Sequence, residues 1–452
     1  MAEAHIQNIS QSQLHEFIEL LKHGTLSEVK SKLSTLHSAE IALLIESLPP
    51  EDRSTIWELV PLEESGDVLL HVNDDVRAEL IRNSDEQELI TATEKLDIDD
   101  LADILQDLPD VVASKVLKSL DVQHRQRLEA VLSYPEDTAG GLMNTDTITI
   151  RGDLSLDAVI RYLRFRGEIP EMTDSLIVVD RTGRYLGLLT LTELLTKEPK
   201  RRVADIMIRD SEAIAATLPA KEVAKLFEHR DLVSAPVVDD SGKLLGRITI
   251  DDVVDVIREE ADRTFMGRVG LNEEDDIFAP VITSSRRRTV WLGINLITAL
   301  LASWVIGQFD ATIEKLVALA VLMPIVASMG GIAGSQTLTI VIRGITLGQV
   351  GNANARRLLV KELAVGAVNG IIWAMVIAAV ADAWFDNFEL SVIIALAILV
   401  NLVFAALAGA TIPIILKKLN IDPALAGGVI LTTVTDVIGF FAFLGLATIF
   451  LM

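Results

Sequence analysis

The chain has 452 residues, half of them hydrophobic, yet 23% are charged and the net charge is −24. One soluble globule does not usually combine these properties, and the mean hydropathy of +0.40 points to a partly membrane-bound chain. There is no cysteine, which excludes disulfides and thiolate metal sites, and the acidity argues against nucleic acid and suits cations.

The charge divides the chain. From Arg286 onward there are ten basic and eight acidic residues; residues 1–285 carry 30 basic and 56 acidic, a net of −26. An acidic, soluble part therefore precedes an apolar, nearly neutral one. The first thirty residues lack a basic stretch followed by an apolar core, so no signal peptide is expected and the acidic part is expected in the cytoplasm.

Residues 10–133 read as helical. IALLIESLPPEDRSTIWELV (41–60) and LADILQDLPDVVASKVLKSL (101–120) echo each other at an offset of 60, each an apolar-periodic helix stopped at Leu-Pro. A looser version lies at 65–84, so a stack of helical hairpins is expected. Acidic residues gather in LDIDDLADILQDLPD (96–110), which taken alone is a solvated face.

Residues 174–195 and 233–254 form a direct repeat at an offset of 59, with the skeleton S-x-x-V-V-D-x-x-G-x-x-L-G-x-x-T. This is a buried strand, a turn on D-x-x-G, a second strand and a helix. It resembles a pair of CBS (cystathionine-β-synthase) domains. The T-x-x-D element of that family appears as Thr249 and Asp252, and as Thr190 and Glu193 in the first copy. Some CBS pairs bind adenine nucleotides there; others only dimerise. The following stretch, 251–270, has helical apolar spacing and acids on its other face, as expected of a helix joining a sensor to a pore.

Five apolar segments follow, at about 289–309, 316–342, 358–381, 390–416 and 424–451, each near or above the ~20 residues needed to span a bilayer. The basic clusters Arg286–Arg288, Arg343 with Arg356 and Arg357, and Lys417 with Lys418 fall on one side if the N-terminus is cytoplasmic and the C-terminus outside. The spans are rich in small residues that suit close helix packing. Asp436 in LTTVTDVIGF (431–440) lies deep, whereas the other acids of this half read as loop or span-end residues. An intramembrane carboxylate is a functional candidate by default. Thr432 shares its helix face, with Gly439 one turn on. The bland alternative is an aspartate hydrogen-bonded to its threonines or protonated inside the bundle.

Several stretches are similar to the MgtE family of magnesium channels: YPEDTAGGLMN (134–144), MGGIAGSQTLTIVIRG (329–344), NLVFAALAGATIPIILKKLNIDPALAGG (401–428) and LTTVTDVIGF. With the order of parts, the resemblance covers nearly the whole chain. It implies a multidomain integral membrane protein of the cytoplasmic membrane: an all-α helical N domain (1–133), an α/β CBS-domain pair (134–202 and 203–255), a connecting helix (256–285) and a five-helix transmembrane domain (286–452). It further implies a homodimer in lipid, with Asp436 facing a pore for hydrated Mg²⁺, Thr432 and Thr433 contacting its waters, and Asn401 as a weaker pore position. Regulatory Mg²⁺ is implied at Asp100 or Asp103, Asp231, Asp252, Asp255 and Glu260, and adenine nucleotide (ATP) at Thr249 and Asp252. Two departures stand out. Arg263 and Thr264 occupy places where the family commonly has acids, with Glu259 and Asp262 as compensating acids. Ile332 stands where an asparagine is frequent.

The expected function is a Mg²⁺ channel closed by internal Mg²⁺, not an enzyme. The alternatives are a proton-coupled or less selective Co²⁺ or Mn²⁺ transporter, and a membrane-anchored nucleotide sensor that conducts nothing.

Overall fold

A computed structural model of the chain describes residues 17, 19–21, 23, 25–94, 96–170, 172–267, 269–271, 276–351, 353–419 and 421–451. Residues 1–16 of the expected N domain and 272–275 of the expected connecting segment lie outside the described residues. The chain divides into two compact units: Met1–Ala261 with Glu274–Ala279, and Asp262–Glu273 with Pro280–Met452.

The first unit begins with short helices: α1 Leu26–Leu33, α2 Ser38–Glu46, α3 Pro50–Trp57, α4 Ser65–His71, α5 Asp74–Asn83, α6 Glu86–Thr93, α7 Ile98–Asp107, α8 Asp110–Ser119 and α9 Val122–Leu132. Local chemistry sets the breaks. Pro49 and Pro109 start α3 and α8 at the two Leu-Pro steps, Asn73 and Asp121 cap α5 and α9, and Thr25 and Asp85 form capping boxes with Glu28 and Glu88.

Two three-stranded sheets follow. β1 Thr149–Arg151, β2 Ser175–Val179 and β3 Tyr185–Thr190, with helices α10 Leu156–Arg166 and α11 Leu191–Thr196, form the first CBS fold. β4 Ile214–Ala215, β5 Ser234–Val238 and β6 Leu244–Thr249, with α12 Ala220–Arg230, form the second. In each, the first two strands are parallel and the last two antiparallel, and the registers repeat: Ser175 opposes Thr190 as Ser234 opposes Thr249. The two D-x-x-G turns are alike. Asp180 accepts from the backbone N–H of Thr182 and Arg184, Asp239 from that of Ser241 and Lys243, and Gly183 and Gly242 both take positive φ. The turns pair with each other through Tyr185 N–H to Gly242 and Leu244 N–H to Gly183.

The YPEDTAGGLMN stretch is a staple. Ala139 and Gly140 donate to the carbonyls of Leu218 and Ala216, and Asn144 exchanges backbone hydrogen bonds with Arg247 on β6. One continuous apolar core consequently runs from the N-terminal helices into the second CBS fold, while the first CBS fold has its own. Gly140 lies flat on Tyr134, and a Cβ there would sit 2.3 Å from the ring's Cγ.

Helix α13, Ile250–Gly267, starts directly at the end of β6, so the last CBS helix and the connecting helix are one element. The second unit holds five long apolar helices: α14 Val281–Gly307, α16 Ala318–Thr346, α17 Ala355–Phe385, α18 Phe388–Lys418 and α19 Pro423–Leu451, with a short α15 Asp310–Lys315. Each overlaps one expected span, and α14 starts eight residues early, at Val281, with Pro280 as its N-cap. Small residues make the contacts. Gly366 meets Ala406, Gly370 meets Leu399, Gly334 meets Leu431, and Gly409 meets the Gly334 carbonyl.

Gly140→Ala should destabilise the first unit by about 1–3 kcal/mol through overpacking, and Tyr134→Ala should recover part of that loss. Thermal unfolding of the single and double variants checks this; equal stability of Gly140→Ala and the natural chain would contradict it.

Candidate functional site

In the first unit, α7 carries acids on both faces. Ile98, Leu101, Ile104 and Leu105 anchor it in the core, and this brings Asp99, Asp100 and Asp103 inward with them. The first turn of α13 presents Asp251 and Asp252 to the same region. Burial, then the charges of Asp99 and Asp252, push the Asp100 carboxyl up to about 8. Burial, then Asp99 and Asp251, push Asp252 up to about 8 as well. Asp103 rises to about 7 through burial and Glu136, and Asp99 to about 6 through burial and Asp97. Like charges in a partly desolvated site disfavour one another's ionised forms.

Few donors relieve this crowd. Asn144 donates its amide to Asp99 Oδ1 at 3.1 Å and Asp97 Oδ2 at 3.4 Å. Thr249 donates its hydroxyl to Asp252 Oδ2 at 3.1 Å. Arg247, buried on β6, faces the field of Asp99 and Asp251 but gives its Nη1 to the Met172 carbonyl and Thr173 Oγ1. Among the described residues, no three His, Asp or Glu side chains converge so as to hold one metal ion. The site is a concentrated negative field, not a preformed chelate.

The structure gathers Asp100, Asp103 and Asp252, with Glu259 adding to the field at Asp103. Other expected residues lie elsewhere. Asp231 is an exposed C-cap of α12 in left-handed conformation. Glu260 is paired with Lys221 of α12. Asp255 lies on the solvent side of α13, where partial desolvation of its carboxyl raises its pKa against the opposing charges of Arg258 and His71. Asp262 is exposed on α13. Asp99, Asp251 and Glu136 belong to the cluster although sequence reasoning did not name them. The run at 96–110 was the visible signal, but helical phase alone reads Asp99 as solvated.

In the second unit, Asp436 is the fourteenth of 29 residues in α19 and is half-buried. Its neighbouring threonines do not bond it. Thr432, Thr433 and Thr435 donate their hydroxyls to the carbonyls of Gly428, Val429 and Thr432. Among the described residues no hydrogen bond reaches Asp436, so the bland alternative of a threonine-bonded aspartate is not what the chain adopts. Thr432 is exposed and Thr433 partly so.

Asn401 points the other way. It is fully buried in α18, donates to the Val326 carbonyl at 2.8 Å, and leaves its buried Oδ1 without a partner. Gly330 and Gly439 clear its place, since a Cβ on either would lie 2.2 or 2.7 Å from Asn401 Nδ2. Gly439 therefore serves packing. Ile332 is exposed on α16. One expectation is corrected: Asp436 is not the only acid inside a span. Glu362 of α17 is 2% exposed, accepting from Thr337 Oγ1 at 3.3 Å and from Lys361 Nζ at 2.6 Å.

An acidic helical and CBS unit joined to five apolar helices, one with a mid-length carboxylate that no hydrogen bond reaches among the described residues, defines the class: a multi-pass membrane transporter with a large acidic part outside the spans. Comparison with known proteins makes it particular. Residues 323–446 match the family model described as a divalent cation transporter, 36–137 the MgtE intracellular N domain, and 139–199 and 203–259 the CBS domain. The magnesium transporter MgtE of Thermus thermophilus is 30% identical over 96% of this chain and 97% of its own. That of Bacillus subtilis is 28% identical over 99% of each. The solved cytosolic domain of a Mg²⁺ channel MgtE in complex with ATP is 32% identical, covering 54% of this chain and 99% of that one at a TM-score of 0.49. The chain belongs to the MgtE family. It is a transporter and not an enzyme.

The raised carboxyls have a stability consequence. The folded state holds protons on Asp100 and Asp252 up to about pH 8, whereas the unfolded chain releases them near ~4. Stability in chelator should therefore fall as pH rises across that window. Asp100→Asn should be more stable than the natural chain at pH 8, with the difference shrinking towards pH 4. Parallel melting curves for the two proteins from pH 5 to 8 would contradict this.

Proposed function

We propose that this chain is a Mg²⁺ channel of the cytoplasmic membrane that imports Mg²⁺ and closes when Mg²⁺ binds among the acids of its first unit. The observation that carries the reading is Asp436: a mid-span carboxylate that, among the described residues, no hydrogen bond reaches, while the hydroxyls of Thr432, Thr433 and Thr435 are engaged by their own helix. A charge in that position is costly in a bilayer, by ~3 kcal/mol or more. A passing cation compensates it. Mg²⁺ sheds water reluctantly and is held by one or two carboxylates plus retained waters. A single aspartate per chain suits it, and two chains about a two-fold axis would bring two. The homodimer, the cytoplasmic N-terminus and the outward C-terminus are parts of this proposal.

The regulatory reading rests on the field around Asp99, Asp100, Asp103 and Asp252. Hydrated Mg²⁺ needs no preformed triad, and it would neutralise a cluster that otherwise must hold protons. Binding that favours the compact arrangement shifts the population towards it. The Thr249–Asp252 turn supports a nucleotide subsite in the second CBS fold. A polyphosphate would meet the same acids there, so we assign Asp252 first to the cation.

Flux into proteoliposomes tests both halves. Asp436→Ala should abolish Mg²⁺ flux with the fold intact, and Asp100→Asn with Asp252→Asn should leave flux running at Mg²⁺ levels that silence the natural chain. Equal flux in Asp436→Ala would move the ion site elsewhere. A flux that tracks a proton gradient beyond its voltage would favour a coupled transporter, and no flux in the natural chain at low Mg²⁺ would favour the sensor.

A further inference from the structure

Arg53 of α3 is fully buried, a state that guanidinium groups rarely adopt unless paired. All five of its N–H donors have acceptors. Nη1 and Nη2 donate to the two oxygens of Asp276 at 2.7 Å each. Nη1 also reaches Glu79 at 3.2 Å, Nε the Ile45 carbonyl at 3.0 Å, and Nη2 the Glu46 carbonyl at 3.5 Å. This is the forked geometry that arginine offers and lysine does not.

Asp276 is held from its own side as well. Its carboxylate is only 6% exposed, its backbone N–H donates to Asp75 Oδ2 at 3.3 Å, and its Oδ1 accepts from Phe278 N–H at 2.9 Å. The two partners are 223 residues apart. Arg53 belongs to the N-terminal helices, whereas Asp276 lies past α13, four residues before Pro280, which caps α14. Residues 276–279 belong with the first unit, whereas the chain from Pro280 onward belongs to the second. The lead-in to the first span is thus gripped by the N-terminal helices.

A buried ion pair is a poor device for stability alone, because well-packed apolar residues commonly do as well. It is suited to fixing one segment against another in a single register. We propose that the Arg53–Asp276 pair is a strap through which movement of α2–α5 is passed to the start of the first span, without travelling through the CBS pair and α13. The strap rests on the reading that Mg²⁺ bound in the first unit closes the pore. Arg53 and Asp276 are positioning residues within it and touch no ion.

The test is Mg²⁺ flux through the full chain in proteoliposomes, with Mg²⁺ titrated on the side of the first unit. Asp276→Ala should raise the half-inhibitory Mg²⁺ by about tenfold, within the range of allosteric couplings, and leave flux at the lowest Mg²⁺ unchanged. Because the chain has no cysteine, Asp75→Cys with Ile277→Cys can be joined selectively by a short bismaleimide. Joining them in the Asp276→Ala background should restore the natural half-inhibitory concentration. A merely structural pair would lower the melting temperature of Asp276→Ala and leave its Mg²⁺ dependence in place, which overturns the strap. If Asp276→Ala does not fold, Asp276→Asn, which keeps the side chain's shape and loses its charge, takes its place, and an unmoved Mg²⁺ dependence there again overturns the strap. A natural chain that Mg²⁺ does not inhibit fails the gating reading itself, and the strap with it.

Discussion

Like charge held at close quarters in a half-dry place is the constraint around which the first unit is built. Asp99, Asp100 and Asp103 are carried inward by the same helical turn that buries Ile98, Leu101 and Ile104, and Asp252 meets them from the start of α13. The apolar side chains fix the geometry, and the carboxylates have no freedom to leave it. Asn144 and Thr249 supply hydrogen bonds but no charge. Arg247 and Arg77 offset part of the field, and the carboxyls remain raised, so a proton or a cation from solution is favoured there. Under the proposed gating, that crowding is what would let the compactness of the helical stack follow the cations in solution.

The second unit uses charge sparingly. Asn401, Gly330 and Gly439 form a tightly fitted knot in the bundle, and Glu362 is enclosed by Thr337 and Lys361. Both polar groups are absorbed into packing. Asp436 is the contrast: a carboxylate at mid-span whose neighbours are engaged elsewhere. The two units make different use of acids: many are crowded together in one, and in the other a carboxylate sits at mid-helix where, among the described residues, no hydrogen bond reaches it. Chain connectivity joins them twice, through α13 and through the Asp276 lead-in that Arg53 grips.

Much of this was legible in the sequence. The five spans stood out because about twenty apolar residues in a row suit little besides a bilayer, and the CBS repeat because a 59-residue offset carries strands, turns and glycines together. Asp436 was visible for the same reason that it is costly. What sequence could not show came from contacts between distant segments. Glu362 read as a span-end residue beside Lys361, and only Thr337 from another helix encloses it. Asp99 looked solvated by helical phase, but the staple through Asn144 covers it. Glu260 carried no sign of a protein partner in the sequence, and only the fold brings Lys221 of the preceding helix to it. The fusion of the last CBS helix with the connecting helix was hidden because no cap or glycine interrupts the run from Ile250 to Met266. Arg53 and Asp276, 223 residues apart, carry no mutual signal in a single sequence.

The most direct test of the account is calorimetric titration of Mg²⁺ into the full-length protein at pH 7, repeated in buffers of different ionisation enthalpy. Carboxyls held partly protonated by one another must give up protons when a divalent ion replaces them. The account predicts a release on the order of one proton per chain, lost in Asp100→Asn with Asp252→Asn. Binding heats that do not vary with the buffer would mean that the crowded acids are not where Mg²⁺ acts.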